Sequence, residues 1–574
     1  MTTGKSAKEI RLISQHIAAA PSICAARLIV RPAPILTRTE VEMRRMGETA
    51  RRAAATAAAS TAALAAASLV GKALGAVYRI PLTNLLGAEG MGLYQTFFPV
   101  YALFVTLTSG ALPAVIARFF AAAAARGEDG AQVFAAARRL SFALAAAGTA
   151  LFAAAIFPVA ALQGVREYAA GYLLLAPAVG AVALSSLYRG IFLADGGAHL
   201  CALTQTAEQA VKLIFGLAAV WFAAQRGTGH AVYGALAAVT VSELVGAATM
   251  RAAFGKKYSF FGARVDKRLS KKMFATMLPL LASALAVPAV TFIDSFAIVA
   301  LLRASGVFEE AARAQYGLLT GAVGTLINLP VVVALSAAAT ALPRFTSEFV
   351  RGGADAAHAK TAASVGWGAV FALPCTIAFA MFSEELLTAL YPALGAGELA
   401  LAAKLLAWQS PAVVLVVVAQ LLCASLQAMG RGGKVMRCML CAAVVKQALQ
   451  AALILRVGVV GAPIAQTAMY AVAVALAALA YRTETGRAFI DLKTIAKTAL
   501  AGVIMVAAEA AVSLADLGTW AKLATAAATG IAAYGGVLAL VGAVDLGALR
   551  RENITDEEQR KAHCRRARHI DDRG

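Results

Sequence analysis

Along the 574 residues, apolar side chains neither alternate nor recur on a single helical stripe. They run on for 20 or so positions at a time and are interrupted by short polar stretches. A helix needs about 20 apolar residues to cross the roughly 30 Å of bilayer hydrocarbon. Fourteen such spans are predicted, near 53–79, 91–117, 138–162, 169–193, 199–224, 231–251, 272–301, 316–341, 361–383, 399–428, 435–456, 461–481, 494–515 and 520–546. Strands of a membrane barrel alternate in polarity, and these segments do not, so an all-α polytopic membrane protein is expected.

Composition sharpens this reading. The chain is 60% hydrophobic and 14% charged, with a mean hydropathy of +0.73. A soluble domain carries roughly 25% charged residues, so an ordinary cytosolic enzyme, a disulfide-stapled secreted domain and a disordered chain are excluded. The formal net charge of +21 does not point to nucleic acid, because the basic residues collect in the loops between spans. With the N-terminus inside, cytoplasmic loops hold about 22 Lys and Arg and external loops about 7. The largest share lies between spans six and seven, with Arg251, Lys256, Lys257, Arg264, Lys267, Arg268, Lys271 and Lys272, whereas Glu89, Glu167, Glu309, Glu310, Glu384 and Glu385 fall outside. Both termini are expected in the cytoplasm of a bacterial cell, with the chain in its cytoplasmic membrane.

The domains expected are a cytoplasmic extension at 1–48, a first lobe at 49–251, a basic linker at 252–271, a second lobe at 272–482, a further helix pair at 483–549 and a charged tail at 550–574. The run MRRMGETARR offers Met43 and Met46 as alternative starts. Cys438 and Cys441 form a CxxC in an apolar stretch without further ligands, so no metal or redox site is expected. The two lobes echo each other. Pro177 and Pro411, Gly196 and Gly430, and Lys212 and Lys446 are each 234 residues apart, and GALPAVIARF at 110–119 is echoed by TALPRF at 340–345. Six spans per unit give repeats of the same topology, related by an axis along the membrane normal, as in an alternating-access carrier with a central cavity.

The stretch GKALGAVYRIPLTNLLGAEGMGLYQTFFPVYALFVTLTSGALPAVIARF, residues 71–119, resembles the first two helices of the polysaccharide transport branch of the MOP flippase superfamily. It is most similar to the stage V sporulation protein B group, which reads GxxYRIPLxRLLGxEGxGLYQ. Gly71, Gly75, Tyr78, Arg79, Pro81, Gly87, Glu89, Gly90, Gly92, Tyr94 and Gln95 match together; Thr83-Asn84 departs where the group often has a small residue and a cation. LPLLASALAVPAVTFIDS, at 278–295, resembles the seventh helix of the family. The resemblance implies a flippase for an undecaprenyl-diphosphate-linked saccharide, such as lipid II or a polysaccharide repeat unit, in peptidoglycan, cell-wall or spore-cortex synthesis. It further implies kinship with MurJ-type lipid II flippases, a lipid substrate, contacts with membrane lipids and envelope-synthesis enzymes as candidate partners.

Charges inside spans cost at least about 2.5–3.5 kcal/mol and normally face a cavity or a partner. Lys72 and Arg79 share a face of span one, two turns apart, where two cations either hold a diphosphate or snorkel to opposite interfaces. The resemblance to MurJ-type flippases further implies that Arg79 corresponds to an arginine near the end of the first helix that belongs to a cationic cavity. Arg189 lies deep in span four. Glu208 and Lys212, at i and i+4 of span five, either neutralise each other or face the cavity, which the repeat-related Lys446 would share. Asp294, with Thr291, Ser295 and Asn328 as oxygen partners, is the candidate for coupling to Na⁺ or H⁺, unless it only marks the outer end of its span. Glu243 and Glu509 are further acids in apolar helices. Pro279 and Pro288 are expected to bend span seven, and Gly87, Gly90 and Gly92 to form a loop. No phosphate loop, HExxH or Ser/His/Asp set is present, so chemistry on a substrate is not expected. Two other readings stand beside the flippase: a cation-coupled multidrug exporter of the same superfamily, and a non-transporting scaffold for envelope-synthesis enzymes.

Overall fold

A computed structural model describes residues 38–128, 130–255, 266–489 and 492–542, with side chains from Gly71 onward except over 334–357 and at single positions that include Lys72. Residues 1–37 of the expected extension, residues 256–265 of the basic linker and the tail at 550–574 lie outside the described residues. Met1–Ala59 is one unit, helical where described; Ser60–Gly574 is the other and carries everything below.

Every regular element among the described residues is helical. The first half comprises α1 (Arg38–Ser109), α2 (Leu112–Ala125), α3 (Gly130–Leu162), α4 (Ala170–Ala194), α5 (Ala198–Ala224) and α6 (Thr228–Phe254). The second comprises α7 (Lys267–Ala284), α8 (Ala286–Ala304), α9 (Glu309–Gly317), α10 (Gly324–Met381), α11 (Ser383–Leu390), α12 (Ala396–Gln409), α13 (Pro411–Ala428), α14 (Gly432–Val457) and α15 (Gly461–Thr485). The pair α16 (Leu492–Ser513) and α17 (Thr519–Leu540) closes the described chain. Among the described residues twelve stretches are long and apolar enough to cross a membrane. Two of them, Ala73–Ala125 and Gly432–Thr485, have length for two crossings, being divided at Gly87 and at the Gly458–Val460 turn, which accommodates fourteen. Large apolar side chains such as Phe157, Trp221, Phe222 and Ile531 are exposed on outer faces, where hydrocarbon and not water is the solvent.

Breaks in the helices have local causes. Gly87 has φ 68° and kinks α1, a backbone position that glycine reaches without steric cost. Gly90 and Gly92, expected in a loop, are helical. Pro113 sits in the first turn of α2, four residues after α1 ends at Ser109, so span two is broken at Gly110-Ala111. Span seven breaks at Leu285: Pro288 has no N–H for the carbonyl of Ala284, and its ring would press on that oxygen. Pro279 lies within α7 without ending it. The polar stretch expected to separate spans eight and nine is helical backbone within α10.

Two apolar cores form in the first half, one around Tyr94, Phe97 and Tyr172 and another around Ile116, Phe134 and Tyr188; the second also takes Met273, Met277 and Leu281 of α7. The helices of the second half pack around Tyr316, Leu405 and Val417. Gly196 and Gly430, the repeat-related pair, have φ 74° and 75° and turn the chain from α4 to α5 and from α13 to α14. Local geometry therefore repeats where the sequence does.

Candidate functional site

The two halves meet where α1 beyond its kink crosses α9 and the π-helical turn Leu318–Val323. Glycines permit the approach. A Cβ on Gly92 would stand 2.0 Å from the carbonyl oxygen of Arg313, and one on Gly317 would stand 2.1 Å from that of Ala88. Gln95 Nε2 donates to the Thr320 carbonyl at 2.9 Å, and Gln163 Nε2 donates to Ser295 Oγ at 2.7 Å. Asn84, at the family departure, donates to the Leu390 carbonyl at 2.8 Å and accepts from the Ala393 amide at 3.3 Å. Buried Arg313 joins Glu309 of its own helix to the Gly164 carbonyl and to Glu167 of the first half. A latch of polar and glycine contacts thus holds this end of the bundle closed.

Below the latch lies a cavity of about 430 Å³, within the roughly 300–1,000 Å³ usual for small-molecule sites. Its first-half wall is Gln95, Phe98, Pro99 and Ala102 of α1; its second-half wall includes Asp294, Asn328, Lys446 and Gln450. Lys446 forms a buried ion pair with Asp294 Oδ2, while Gln447 and Gln450 donate to Oδ1 at 2.9 and 3.2 Å. The expected oxygen partners of Asp294 are turned elsewhere: the Thr291 hydroxyl donates to Pro288 O at 3.0 Å and that of Ser295 to Phe292 O at 2.7 Å. Asn328 faces the cavity without reaching the carboxylate in a hydrogen bond. Asp294 is therefore a partner of Lys446 in this arrangement.

Behind Phe98 lies a second group of charges. The Arg79 guanidinium stands 5.7 Å from the Phe98 ring centroid and the Lys212 ammonium 5.3 Å from it, with Lys212 also 5.6 Å from the Tyr78 ring. Cation–ring attraction at these distances is worth about 0.5–2 kcal/mol. Among the described residues neither cation is in an ion pair. The helical spacing predicted Glu208 with Lys212, but Glu208 accepts from Arg189 of α4 at 3.1 Å. An i,i+4 pair contributes only about 0.2–0.5 kcal/mol, so a neighbouring helix that delivers a guanidinium into a buried position wins. Glu243 of α6, read as a lone acid, accepts from Tyr101 at 3.2 Å and joins Glu208. Three cations thus face two acids in this cluster.

The structure therefore divides the predicted set. Arg79, Lys212, Arg189 and Glu243 gather in the first half, and Asp294, Asn328 and Lys446 line the cavity. Lys212 does not share a wall with Lys446, because Phe98 stands between the cluster and the cavity. The Lys72 side chain lies outside the described residues. Glu509 is apart from both groups, 1% exposed between α16 and α17, with one carboxyl oxygen unpartnered. Phe98, Gln447, Gln450 and Arg313 escaped the sequence reading. The polar trio of KQALQ within an apolar helix was a signal for the glutamines; nothing local distinguished Phe98 from its aromatic neighbours.

Comparison with known proteins bears on this arrangement. Residues 57–349 match the family described as Polysaccharide biosynthesis protein. Stage V sporulation protein B of Bacillus subtilis (strain 168) is 27% identical over 288 residues, 48% of this chain and 55% of that protein, so the chain spans about half the length of this relative. Lipid II flippase MurJ of the same organism is 23% identical over 383 residues, 60% of this chain and 68% of that protein. Among solved structures, Lipid II flippase MurJ in an inward closed conformation has a TM-score of 0.65 at 14% identity, covering 83% of this chain and 98% of that one. An inward-facing multidrug resistance MATE family transporter of the MOP superfamily has a TM-score of 0.59 at 16% identity, covering 72% and 98%. Those likenesses show that the chain has the fold of these transporters. The chain is a multi-pass membrane protein that belongs to the polysaccharide biosynthesis protein family.

Proposed function

We propose that the protein is a flippase for a lipid-linked saccharide carrying a diphosphate, working across the cytoplasmic membrane with both termini inside. The observation that carries this is the pair Arg79 and Lys212, brought from two helices onto one aromatic ring, outside any ion pair among the described residues, beside a cavity between the halves. The cluster holds one cation more than acids, an excess that attracts a polyanion and repels a cationic drug, which favours the flippase over a multidrug exporter. The anion is held at Arg79 and Lys212, the saccharide enters the cavity beyond Phe98, and the prenyl tail stays in lipid. The polar latch lies at the outer end under the positive-inside orientation, and parting of the halves at the latch releases the headgroup outside.

The test is translocation of an undecaprenyl-diphosphate-linked saccharide in vesicles. Arg79→Ala together with Lys212→Ala is expected to lower the rate at least about tenfold, the equivalent of losing roughly 1.4 kcal/mol of binding. Unchanged rates in a correctly folded double variant would reject the diphosphate assignment. Accumulation of a particular precursor on depletion in cells names the saccharide.

A further inference from the structure

We infer that Lys446 is a tethered counter-cation for Asp294, and that the carboxylate in the cavity wall is thereby closed to Na⁺. The inference rests on the donor set and is independent of which substrate is carried.

Three N–H donors converge on one carboxylate. Lys446 takes Oδ2, and the amide nitrogens of Gln447 and Gln450 take Oδ1 at 2.9 and 3.2 Å. A hard metal cation needs the opposite arrangement, with several oxygens turned toward a common point. The hydroxyls on the helix of Asp294 do not supply it. The hydroxyls of Thr291 and Ser295 are spent on carbonyls of their own helix, and Ser295 also accepts from Gln163 across the halves. Gln450 Oε1 has no hydrogen-bond partner, but rotating its amide to offer that oxygen would set it against the carboxylate and lose the N–H bond.

Charge leads to the same conclusion. Lys446 is 4% exposed and Asp294 9%, so each needs a counter-charge in place. The ammonium already supplies a unit positive charge at the carboxylate, and a second cation there would be repelled by it. The sequence supplies this cation covalently: α14 carries Lys446, Gln447 and Gln450 on adjoining positions and lays them against α8, whose start beyond the Pro288 break presents Asp294 to the cavity. The role expected for a bound coupling ion beside Asp294 is filled by a side chain that moves with the protein and is not exchanged with solvent.

The experiment is thermal melting of the full-length protein in detergent, in NaCl, KCl and choline chloride at equal ionic strength, read by intrinsic fluorescence. The wild type is expected to melt at one temperature in all three salts. Lys446→Gln, which strands the carboxylate, is expected to melt well below the doubly neutral Asp294→Asn/Lys446→Gln variant, which removes both charges. Failure of the single variant to fold while the double one folds is the same result in stronger form. A rise in wild-type melting specific to Na⁺ and absent from Asp294→Asn overturns the inference. So does a Lys446→Gln variant that is no less stable than the double variant. If neither neutral variant folds, the wild-type salt series decides by itself.

Discussion

Lys212 and Lys446 stand 234 residues apart at matching places in α5 and α14, and each helix is preceded by a three-residue turn made by a glycine with φ near 75°. Their surroundings differ. Lys446 is buried against Asp294 and braced by two glutamines, whereas Lys212 rests on Tyr78 and Phe98 while the nearest helical acid, Glu208, is held by Arg189. The two halves therefore match in the position of a cation and not in its task. In the second half the charge is paired one to one with a carboxylate and serves cohesion; in the first it belongs to a cluster in which three cations share two acids.

The comparison breaks most directly at the two lysines. Lys446→Gln leaves a buried carboxylate without its cation and is expected to cost about 3–5 kcal/mol in stability. Lys212→Gln removes no ion pair and is expected to cost less than about 1 kcal/mol while lowering anion binding. Chemical or thermal unfolding of the two variants side by side measures the difference, and equal losses would erase the distinction.

A smaller effect is expected where the halves meet. Gly317→Ala sets a methyl group against the backbone of α1, an overpacking of about 1–3 kcal/mol that should part the latch. Alkylation of a cysteine placed at Asn328, which lines the cavity, is expected to quicken from the outer side of vesicles. If the rate is unaltered, the glycine crossing is not the closed gate.

Phe98→Leu separates the two halves of the comparison more finely. It removes the ring shared by Arg79 and Lys212 and is expected to weaken their hold on an anion by about 0.5–2 kcal/mol. The Asp294–Lys446 pair should be unaffected, as judged by the melting difference between Asp294→Asn in the two backgrounds. Smallest of all, Gly196→Ala and Gly430→Ala are each expected to cost about 1 kcal/mol, and nearly the same amount, because both turns place the residue at φ near 75°. Unequal costs in urea or thermal unfolding would show that the repeat is not equivalent at its turns.

Much of the architecture was legible along the chain because its causes are local. Runs of apolar residues make helices of membrane length, Gly87 kinks α1, and Pro113 and Pro288 each interrupt a helix four residues upstream. Where local rules overreached, neighbouring helices were the reason. Gly90 and Gly92 are helical, since α1 resumes directly after Gly87, and a glycine without a positive φ serves instead for close approach to Thr228 and to Arg313. Residue type alone does not separate these uses.

By itself, the sequence determined that this is a helical membrane protein of many crossings, with echoing halves, basic loops and a few charges left in its spans. Only the tertiary structure decided what those charges are for. Asp294 and Lys446 are 152 residues apart, and Arg189 reaches Glu208 from another helix. Backbone geometry is set by residues within a turn or two, whereas the partner of a buried charge is set by which helices adjoin. In hydrocarbon no water competes to satisfy that charge, so helix packing fixes the electrostatics of the site.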